Sequence, residues 1–286
     1  MSLRGRAVRL LPRIGLRVVD VLPGAVLVSR RAAFRVRGLD PDAALIIRRR
    51  SRRRHWFERE KALTSYAVGE HVAAVLDQYG VNLVIDVGAN RGQYAKRLRR
   101  AGYRGRIASF EPVPDVFERL REAAAGDPRW SVHPFALGRE DTVTSMHVVP
   151  GTLSSVLAPS DFGAERYAQL RAPAAQRVEV RRLDGLLDEL TAGIDDPRPY
   201  LKLDTQGYDV EVFQGAGERV SDFVGMQSEL ALMQIYEGMP RLPEALALYE
   251  GSGFEVTALY PVSRETATAR VLEFDCVMVR PGAARR

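Results

Sequence analysis

VIDVGANRGQYAKRL, residues 84–98, combines the three parts of a strand–turn–helix unit. Residues 84–87 form a short run that is apolar except for Asp86, as expected of a buried strand. Residues 94–101 carry basic and apolar side chains at helical spacing. Two glycines stand between them. Gly88 can take a positive φ and let a ligand approach the backbone, and Gly92 lets the next helix begin close to the strand. The stretch therefore predicts a cofactor-binding turn in an α/β fold.

The glycine pattern separates the cofactors that such a turn can hold. A dinucleotide site has the pattern GxGxxG, whereas this turn has Gly88, Asn90 and Gly92 and no third glycine at the required place. A phosphate loop needs Gly-Lys-Ser/Thr, which the turn lacks. NAD and ATP are therefore disfavoured, while Asp86 at the strand end can accept hydrogen bonds from a ligand amine or from the loop. The alternative is a tight turn that holds no ligand.

An acidic residue follows at the distance expected of a ribose-binding group. Glu111 stands 25 positions after Asp86, directly after an apolar run and before Pro112. A carboxylate accepts hydrogen bonds from both hydroxyls of a vicinal diol, and nucleotide-binding α/β folds place an acid about 20 residues beyond the glycine turn. Glu111 is thus predicted to bind a ribose, the alternative being an ordinary surface glutamate.

Short β-rich runs alternate with helical patterns through the rest of the chain, which indicates parallel strands joined by crossover helices. Strands are predicted at residues 81–87, 105–111, 130–135, 142–149, 178–183, 200–203, 224–230, 255–260 and 271–279. Helices are predicted at residues 94–101, 115–125, 184–190, 208–215 and 242–251. Residues 150–176 lack a sustained period and are predicted to form a substrate-side insertion. We assign residues 63–286 to one domain.

The composition is that of a globular protein. Hydrophobic residues make up 46% of the 286 residues and charged residues 27%, so a sizeable buried core is expected. The single cysteine, Cys276, excludes an internal disulfide framework and a multi-cysteine zinc site. A reducing, cytoplasmic location is the expectation that fits best.

Basic residues are concentrated at the N-terminus. Residues 1–60 contain sixteen arginines and five acidic residues, so they carry +11 and the rest of the chain −5 of the overall +6. Arginines interrupt the apolar residues there, and no uncharged run approaches the roughly 20 residues that span a bilayer. Residues 1–62 are predicted to be a basic, helical extension. It is interpreted as a solvated face that packs on the domain or a partner, as a contact with anionic membrane lipids, or as a nucleic-acid contact.

Residues 83–279 resemble the FkbM family of S-adenosylmethionine-dependent O-methyltransferases. The stretches that carry the resemblance are VIDVGANRGQYA (84–95), FEPVP (110–114), FALG (135–138), RRLDGLLDEL (181–190) and, most specifically, YLKLDTQGYDVEVFQGA (200–216). The resemblance implies a Rossmann-like class I methyltransferase fold, with a seven-stranded, mostly parallel sheet and helices on both faces. It also implies that Asp86, Gly88 and Asn90 hold the methionine end of the cofactor and Glu111 its ribose. Ala136 and Leu137 would lie near its adenine.

Polar residues at strand ends are the candidates for chemistry. Asp204 closes a strand of the same sheet as Asp86, and the carboxyl ends of such strands converge on one crevice. Because methyl transfer to a hydroxyl requires the acceptor's proton to leave, Asp204 is the predicted base and Glu229 the second catalytic candidate. Lys202 and Gln206 are candidates for the acceptor pocket, and Gln206 stands where the family commonly has glutamate. Asp204 and Glu229 also suit Mg²⁺, but no ligand triplet supports a metal and none is assigned.

The predicted function is transfer of a methyl group to a hydroxyl of a small molecule, such as a sugar moiety of a glycolipid or of a glycosylated natural product. A nucleic-acid methyltransferase that uses the basic extension and a non-catalytic binding module with the same fold stay open as alternatives. The net-acidic core disfavours nucleic acid as a partner. Peripheral contact with the inner membrane surface through residues 1–60 is a further expectation, and a homodimer is compatible with the sequence without being indicated by it.

Overall fold

The computed structural model describes residues 16–22, 25–30, 34–40, 43–48 and 56–285. The chain divides at residue 56 into two compact units, a small N-terminal unit and a large C-terminal one. Within the described residues, no helix is both long and apolar enough to cross a membrane.

The N-terminal unit contains two β-hairpins. Their strands are β1 (Leu16–Leu22) with β2 (Ala25–Arg30) and β3 (Phe34–Asp40) with β4 (Ala43–Arg48), and each pair is antiparallel. The predicted helical extension is therefore wrong over these strands. Their runs are rich in valine, leucine and isoleucine, and the turn-forming pairs Pro23-Gly24 and Pro41-Asp42 separate them, which outweighs the helical spacing of the arginines. Residues 1–15 and most of the RRRSRRRHW cluster lie outside the described residues.

The C-terminal unit begins with a long helix, α1 (Trp56–Gln78), which runs straight across the predicted domain boundary at residue 62. Its first half is exposed, while Val68, Val72 and Val75 in its second half are buried. The bidentate ion pair of Glu60 with Arg264 (2.5 and 2.7 Å) ties the first half to the C-terminal unit. The structural boundary therefore lies before α1.

Seven strands form the central sheet, as predicted. In spatial order they are β13 (Glu255–Arg264), β14 (Val271–Val279), β12 (Gly225–Ala231), β11 (Pro199–Leu203), β5 (Leu83–Val87), β6 (Arg106–Phe110) and β7 (Trp130–His133). Five neighbouring strands, from β12 to β7, are parallel, and β14 runs antiparallel to both β12 and β13. The carboxyl ends of β5, β6, β11 and β12 consequently lie along one edge of the sheet.

Helices cover both faces of the sheet. The remaining helices are α2 (Gln93–Arg100), α3 (Pro114–Ala124), α4 (Asp161–Arg166), α5 (Leu187–Thr191), α6 (Asp209–Gln214) and α7 (Leu242–Gly251). Within β5, Val84 belongs to a core cluster with α1, α2 and α3, whereas Ile85 and its alternating neighbours belong to a cluster with α5, α6 and α7. This alternation of side chains gives each face its own hydrophobic layer.

A second, three-stranded sheet lies outside the central one. It consists of β8 (Ala136–Leu137), β10 (Ala174–Arg181) and β9 (Thr142–Val148), in that order. The strand predicted at residues 130–135 corresponds to β7 and ends two residues early, at His133, whereas β8 begins beyond it. The insertion predicted at residues 150–176 contains α4 and the start of β10. Leu170 from this segment packs with Ile235, Tyr236 and Met239, which follow β12. The segment 150–176 therefore lies at the carboxyl edge of the central sheet.

Candidate active site

A cleft opens at the carboxyl edge, between the ends of β5, β6 and β11 and the insertion. Seven of the residues singled out in the sequence line it: Gly88, Asn90, Glu111, Ala136, Leu137, Asp204 and Gln206. The others, Asp86, Gly92, Lys202 and Glu229, are not among its lining residues. The structure thus brings most of the sequence-predicted site into one cavity and places the remaining four around it.

The Gly88 turn is packed against the end of β11. Gly88 has φ of 74°, and a Cβ atom there would lie 2.0 Å from the carbonyl oxygen of Asp204. The backbone N–H groups of Gly88 and Ala89 both donate to the carbonyl of Phe110 at the end of β6 (3.1 and 3.0 Å). Only glycine fits this position, because any side chain would collide with backbone and strain the turn. The turn therefore presents bare backbone to the cleft.

Asn90 organises the loop beyond the turn. It has φ of 49°, and its side-chain oxygen accepts from the backbone N–H of Arg91 (3.0 Å) and from Nε2 of Gln93 (3.2 Å). Its Nδ2 group lies 3.4 Å from the carbonyl oxygen of Gly151 in the insertion. Asn90 thus fixes the loop conformation and links the loop to the insertion across the cleft.

Glu111 lies at the end of β6 with its side chain in the cleft. Its Oε1 accepts from the backbone N–H of Val113 (2.9 Å) and its Oε2 from that of Asn90 (3.0 Å). Burial raises the pKa of Glu111 to about 7, although the two backbone donors oppose the shift. Each carboxylate oxygen has a second lone pair, so the fixed side chain can still accept hydrogen bonds from a diol.

Apolar side chains form the wall beside Glu111. They come from the strand end at Phe110, from Val113 and Val116, and from Leu137 and Met146. His133 stacks on Phe110 outside the cleft lining, with ring centroids 4.6 Å apart and planes 15° apart. An apolar slot next to a diol-binding carboxylate and a side-chain-free turn suits a nucleoside with a charged tail. The residues present therefore fit S-adenosylmethionine.

Asp86 is buried in the sheet and does not reach the cleft. The strand register sets it between Ser109 on β6 and Lys202 on β11. Ser109 Oγ donates to Asp86 Oδ2 (3.0 Å) and accepts from Nε1 of Trp130 (3.0 Å). Burial raises the pKa of Asp86 to about 6, against the opposing effect of the Lys202 ammonium. Asp86 thus supports the strand end from which the turn starts.

Gly92 has a packing role. It precedes α2 with φ of 76°, and a Cβ atom there would lie 2.6 Å from the indole ring of Trp130. The glycine lets α2 begin against Trp130 of β7, whereas the sequence predicts that it brings the helix close to the preceding strand. Its place among the cofactor-binding residues is indirect, since it does not line the cleft.

Asp204 projects from the end of β11 into the cleft, with 46% of its side chain exposed. Its Oδ2 lies 3.2 Å from Nζ of Lys202, which is itself buried and also donates to the carbonyl of Leu203 (3.2 Å). Burial disfavours the charge of Lys202, but the carboxylates of Asp204 and Asp86 hold its pKa above the usual value. Lys202 therefore acts on Asp204 from within the protein and is not a wall of the acceptor pocket.

Gln206 joins the two candidate catalytic carboxyl groups. Its Nε2 lies 3.1 Å from Oδ1 of Asp204 and 3.2 Å from Oε2 of Glu229. Glu229, near the end of β12, is partly buried, and burial together with the carboxyl group of Glu273 raises its pKa well above the usual range. Burial therefore disfavours the charge of Glu229, which lies beside Asp204 through the shared Gln206 amide.

Sequence reasoning missed Asp209, the second aspartate of DTQGYD. Its carboxylate accepts four hydrogen bonds: from N and Oγ1 of Thr205 (2.8 and 2.5 Å), from Oγ of Ser228 (2.8 Å) and from N of Glu229 (3.1 Å). It thereby ties the turn after β11 to β12, the strand that carries Glu229. An aspartate in the first turn of a predicted helix was the signal in the sequence.

Sequence reasoning also missed Tyr236, which belongs to no motif. This tyrosine is fully buried, and its hydroxyl lies 3.2 Å from Oε1 of Gln206 and 2.9 Å from the carbonyl oxygen of Leu153. No sequence pattern could place it, because residues 232–240 follow the sheet without a regular period. As for a metal, no cluster of three or more histidine, cysteine or acidic side chains suited to one occurs in the part of the chain that the structure describes.

Comparisons with known proteins agree with this geometry. The profile described as Methyltransferase FkbM domain matches residues 86–255. The chain is 25% identical over 209 residues to 2-O-methyltransferase NoeI of Sinorhizobium fredii (strain NBRC 101917 / NGR234), which covers 70% of this chain and 83% of that protein. It is also 25% identical over 198 residues to Methyltransferase sdnD of Sordaria araneosa, covering 61% and 74% of the two chains.

Among solved structures, magnesium protoporphyrin IX methyltransferase of Synechocystis PCC 6803 with bound SAM aligns with a TM-score of 0.42 and 10% identity, over 80% of this chain and 86% of that one. The matched FkbM domain covers more than half of the chain and contains the Gly88 turn, Glu111, Asp204 and Glu229. The chain therefore belongs to the FkbM family of methyltransferases.

Proposed function

We propose that this methyltransferase transfers a methyl group from S-adenosylmethionine to a hydroxyl group of a sugar-containing small molecule. The observation that carries the proposal is the half-exposed carboxylate of Asp204, which lies in the same cleft as Glu111 and Gly88. A cofactor cleft and a proton acceptor in one cavity are what transfer to a hydroxyl requires.

In this proposal the cofactor extends from the Gly88 turn to the apolar wall. The bare turn and Asn90 would hold its methionine end, and the Glu111 carboxylate would accept hydrogen bonds from its ribose hydroxyls. Leu137, Ala136 and the neighbouring apolar side chains would enclose the adenine. When bound, the cofactor supplies an electrophilic methyl group on a sulfonium.

Asp204 would accept the proton of the acceptor hydroxyl. As the oxygen forms its bond to the methyl carbon, the pair of electrons of the carbon–sulfur bond returns to sulfur, and the acceptor proton moves to the Asp204 carboxylate. Lys202 and the amide of Gln206 each engage one oxygen of Asp204. They orient the carboxylate, and each oxygen keeps a lone pair for the acceptor.

The acceptor class is proposed from two observations. The matched relative NoeI is by name a 2-O-methyltransferase. The lining of the cleft includes polar residues besides Asp204, among them Thr152, Ser154, Gln206 and Tyr208. Hydroxyl and amide groups of this kind recognise a polyhydroxylated acceptor through hydrogen bonds. A glycolipid sugar and a glycosylated natural product both offer that chemistry.

The experiment has two steps. Calorimetry with S-adenosylhomocysteine tests the cofactor site, and incubation with methyl-labelled S-adenosylmethionine and a panel of glycosides and glycolipid extracts, followed by mass spectrometry, identifies the acceptor atom. We expect Asp204→Asn to bind S-adenosylhomocysteine as the wild type does and to transfer methyl about 100-fold more slowly, because the base is lost. Asp188→Asn, at a carboxylate 89% exposed on α5, is the matched control and should transfer normally.

Three results would contradict the proposal. Failure of the wild type to bind S-adenosylhomocysteine would contradict the proposed cofactor. Appearance of the label on nitrogen, carbon or nucleic acid would contradict the proposed acceptor class. Full activity of Asp204→Asn would remove the proposed base alone.

A further inference from the structure

The backbone at Gln206 is held in an unusual conformation. Its φ of 55° lies in the left-handed region, which glutamine rarely adopts, and Gly207 follows with φ of 89°. The carbonyl oxygen of Gln206 accepts from Oγ of Ser155 in the insertion (2.8 Å), a side chain that is fully buried. The left-handed backbone and the hydrogen bond from Ser155 therefore hold the turn in one conformation, which sets the direction in which the Gln206 side chain projects.

Every polar atom of the Gln206 amide has a partner. One N–H points to Asp204 Oδ1 (3.1 Å) and the other to Glu229 Oε2 (3.2 Å), while Oε1 lies 3.2 Å from the hydroxyl of Tyr236. Two carboxyl acceptors on one side and a hydroxyl donor on the other define which end of the amide is nitrogen. The O–H of Tyr236, which is shared with the carbonyl oxygen of Leu153 (2.9 Å), thus supports the orientation that the two carboxyl groups impose on the amide.

The surroundings explain why an amide suits this place. Asp204 and Glu229 face the amide. Three further acidic residues lie nearby, namely Glu273 and Asp275 on the adjoining β14 and Asp209 at the start of α6. The ammonium group of Lys202 lies among these carboxyl groups and forms an ion pair with Asp204. Burial and nearby carboxylates raise the pKa of Glu273 to about 7, so this region resists further negative charge. A neutral side chain with two N–H donors can bridge two carboxyl groups there without adding to the charge.

We propose that Gln206 is a positioning residue for methyl transfer, whose amide, oriented by Tyr236, ties Asp204 to Glu229 and holds the Asp204 carboxylate in the cleft. The proposal rests on the proposed function, in which Asp204 accepts the acceptor's proton. Gln206 acts through Asp204 and takes no proton itself. In this chain the neutral amide offers N–H donors to both carboxyl groups, whereas an ionised carboxylate at this position would offer none.

The sharpest test is Gln206→Glu, which keeps the size and the Tyr236 contact but replaces two donors by a negative charge. At pH 8 we expect methyl transfer to the acceptor identified by labelling to fall about 10-fold or more, since Asp204 is no longer held. As the pH falls to 6 the introduced carboxyl takes up a proton and can donate once more, so the deficit relative to wild type should shrink.

A second readout needs neither cofactor nor acceptor. The introduced carboxyl has a higher pKa in the folded protein than in the unfolded chain, so it costs more stability as the pH rises from 5 to 8. The melting temperature of Gln206→Glu should therefore drop further below that of the wild type across this range. Gln78→Glu is the matched control, since Gln78 is exposed in α1 before the amino end of β5, and its difference from wild type should stay small and constant.

Tyr236→Phe tests the orienting hydroxyl separately. It should slow methyl transfer in the same direction without recovery at pH 6, and its effect combined with Gln206→Glu should be less than additive in free energy. A pH-independent melting difference for Gln206→Glu, or undiminished transfer by that variant at pH 8, would overturn the positioning role while leaving the methyltransferase function intact. Failure of the wild type to bind S-adenosylhomocysteine would instead count against the proposed function.

Discussion

The Cα atom of Gly88 lies directly against the carbonyl group of Asp204, so that a Cβ atom at residue 88 would be 2.0 Å from that oxygen. The cofactor turn after β5 and the proposed base after β11 are therefore in backbone contact. Asp204 N also donates to the carbonyl of Val87, one residue before the glycine (3.1 Å). Any change that pushes one strand end away from the other will alter both halves of the site.

Gly88→Ala tests this contact. The added methyl group meets backbone that cannot move independently, and the φ of 74° is strained for alanine, so we expect a loss of at least about 2 kcal/mol in the free energy of unfolding. Binding of S-adenosylhomocysteine should also fall below detection. Urea denaturation and calorimetry measure the two effects.

Gly102→Ala is the matched control for that prediction. Gly102 has φ of 95°, but nothing lies within 4 Å of a Cβ atom there, so the variant isolates the conformational cost, about 1 kcal/mol. Its affinity for S-adenosylhomocysteine should be unchanged. Equal losses of stability in the two variants would show that the contact with Asp204 has no effect of its own.

The fold of the large unit was predictable because its signals are local. Alternation of apolar runs with helical patterns gives a mostly parallel sheet, and parallel strands bring their carboxyl ends together, which placed Glu111 and Asp204 in one cleft. The burial of Asp86 and Lys202 was not predictable, since it depends on the register between strands that are distant in sequence. Tyr236 reaches Gln206 only because the insertion folds over the sheet edge, and no periodic signal encodes that path.

The N-terminal unit shows a different limit. Over short stretches, the spacing of arginines among leucine and valine fits a helical period and a strand period equally well. The pairs Pro23-Gly24 and Pro41-Asp42, which are typical of turns, are the stronger indication of secondary structure here. Each pair lies between the strands of one hairpin. The two turn-forming pairs therefore indicate hairpins more directly than the spacing of the arginines indicates a helix.

Glu111 should make cofactor binding dependent on pH. Its pKa of about 7 in the folded protein means that the carboxyl is mostly protonated at pH 6 and mostly ionised at pH 8. If the ribose hydroxyls bind the ionised form, affinity for S-adenosylhomocysteine should rise about 10-fold from pH 6 to pH 8. Calorimetry at both values checks the sign.

Glu111→Gln should remove this dependence and bind at pH 8 about as weakly as the wild type does at pH 6. Glu118→Gln, an exposed position on α3 that pairs with Arg121, is the control and should retain the wild-type pH profile. A wild-type affinity that is constant from pH 6 to pH 8 would mean that Glu111 does not bind the ribose as a carboxylate.

Ser109→Ala tests the buried support of Asp86. The substitution leaves Asp86 Oδ2 and the indole N–H of Trp130 without their shared partner, which should lower the free energy of unfolding by about 1–3 kcal/mol. The pKa of Asp86 is raised to about 6, and the serine hydroxyl stabilises the charged form, so the loss should be larger at pH 8 than at pH 5. Chemical denaturation at the two pH values measures it.

The matched control is Ser131→Ala, at a residue that is exposed on β7. Its hydroxyl lies 3.2 Å from Nε2 of His133 and 3.5 Å from the carbonyl oxygen of Ile107, and because the site is exposed, water can replace these contacts and the removal should cost about 0.5 kcal/mol or less. A Ser109→Ala loss that is the same at pH 5 and pH 8 would indicate that Asp86 is not charged in the folded protein over this range.

Removal of residues 1–55 tests the proposal that the basic unit contacts a membrane surface. The cut belongs before Trp56 and not at residue 62, because α1 is continuous from residue 56 and Glu60 bonds Arg264. The segment holds fifteen arginines against three acidic residues, and a basic residue near an anionic surface contributes about 1 kcal/mol. The full chain should therefore sediment with phosphatidylserine vesicles at low salt, and the shortened chain should not, while both bind S-adenosylhomocysteine equally.

Phosphatidylcholine vesicles are the control, and added salt should release the full chain because it screens the attraction. Equal sedimentation of the two chains, or retention of the full chain by RNA in preference to vesicles, would contradict the membrane proposal without affecting the methyltransferase site.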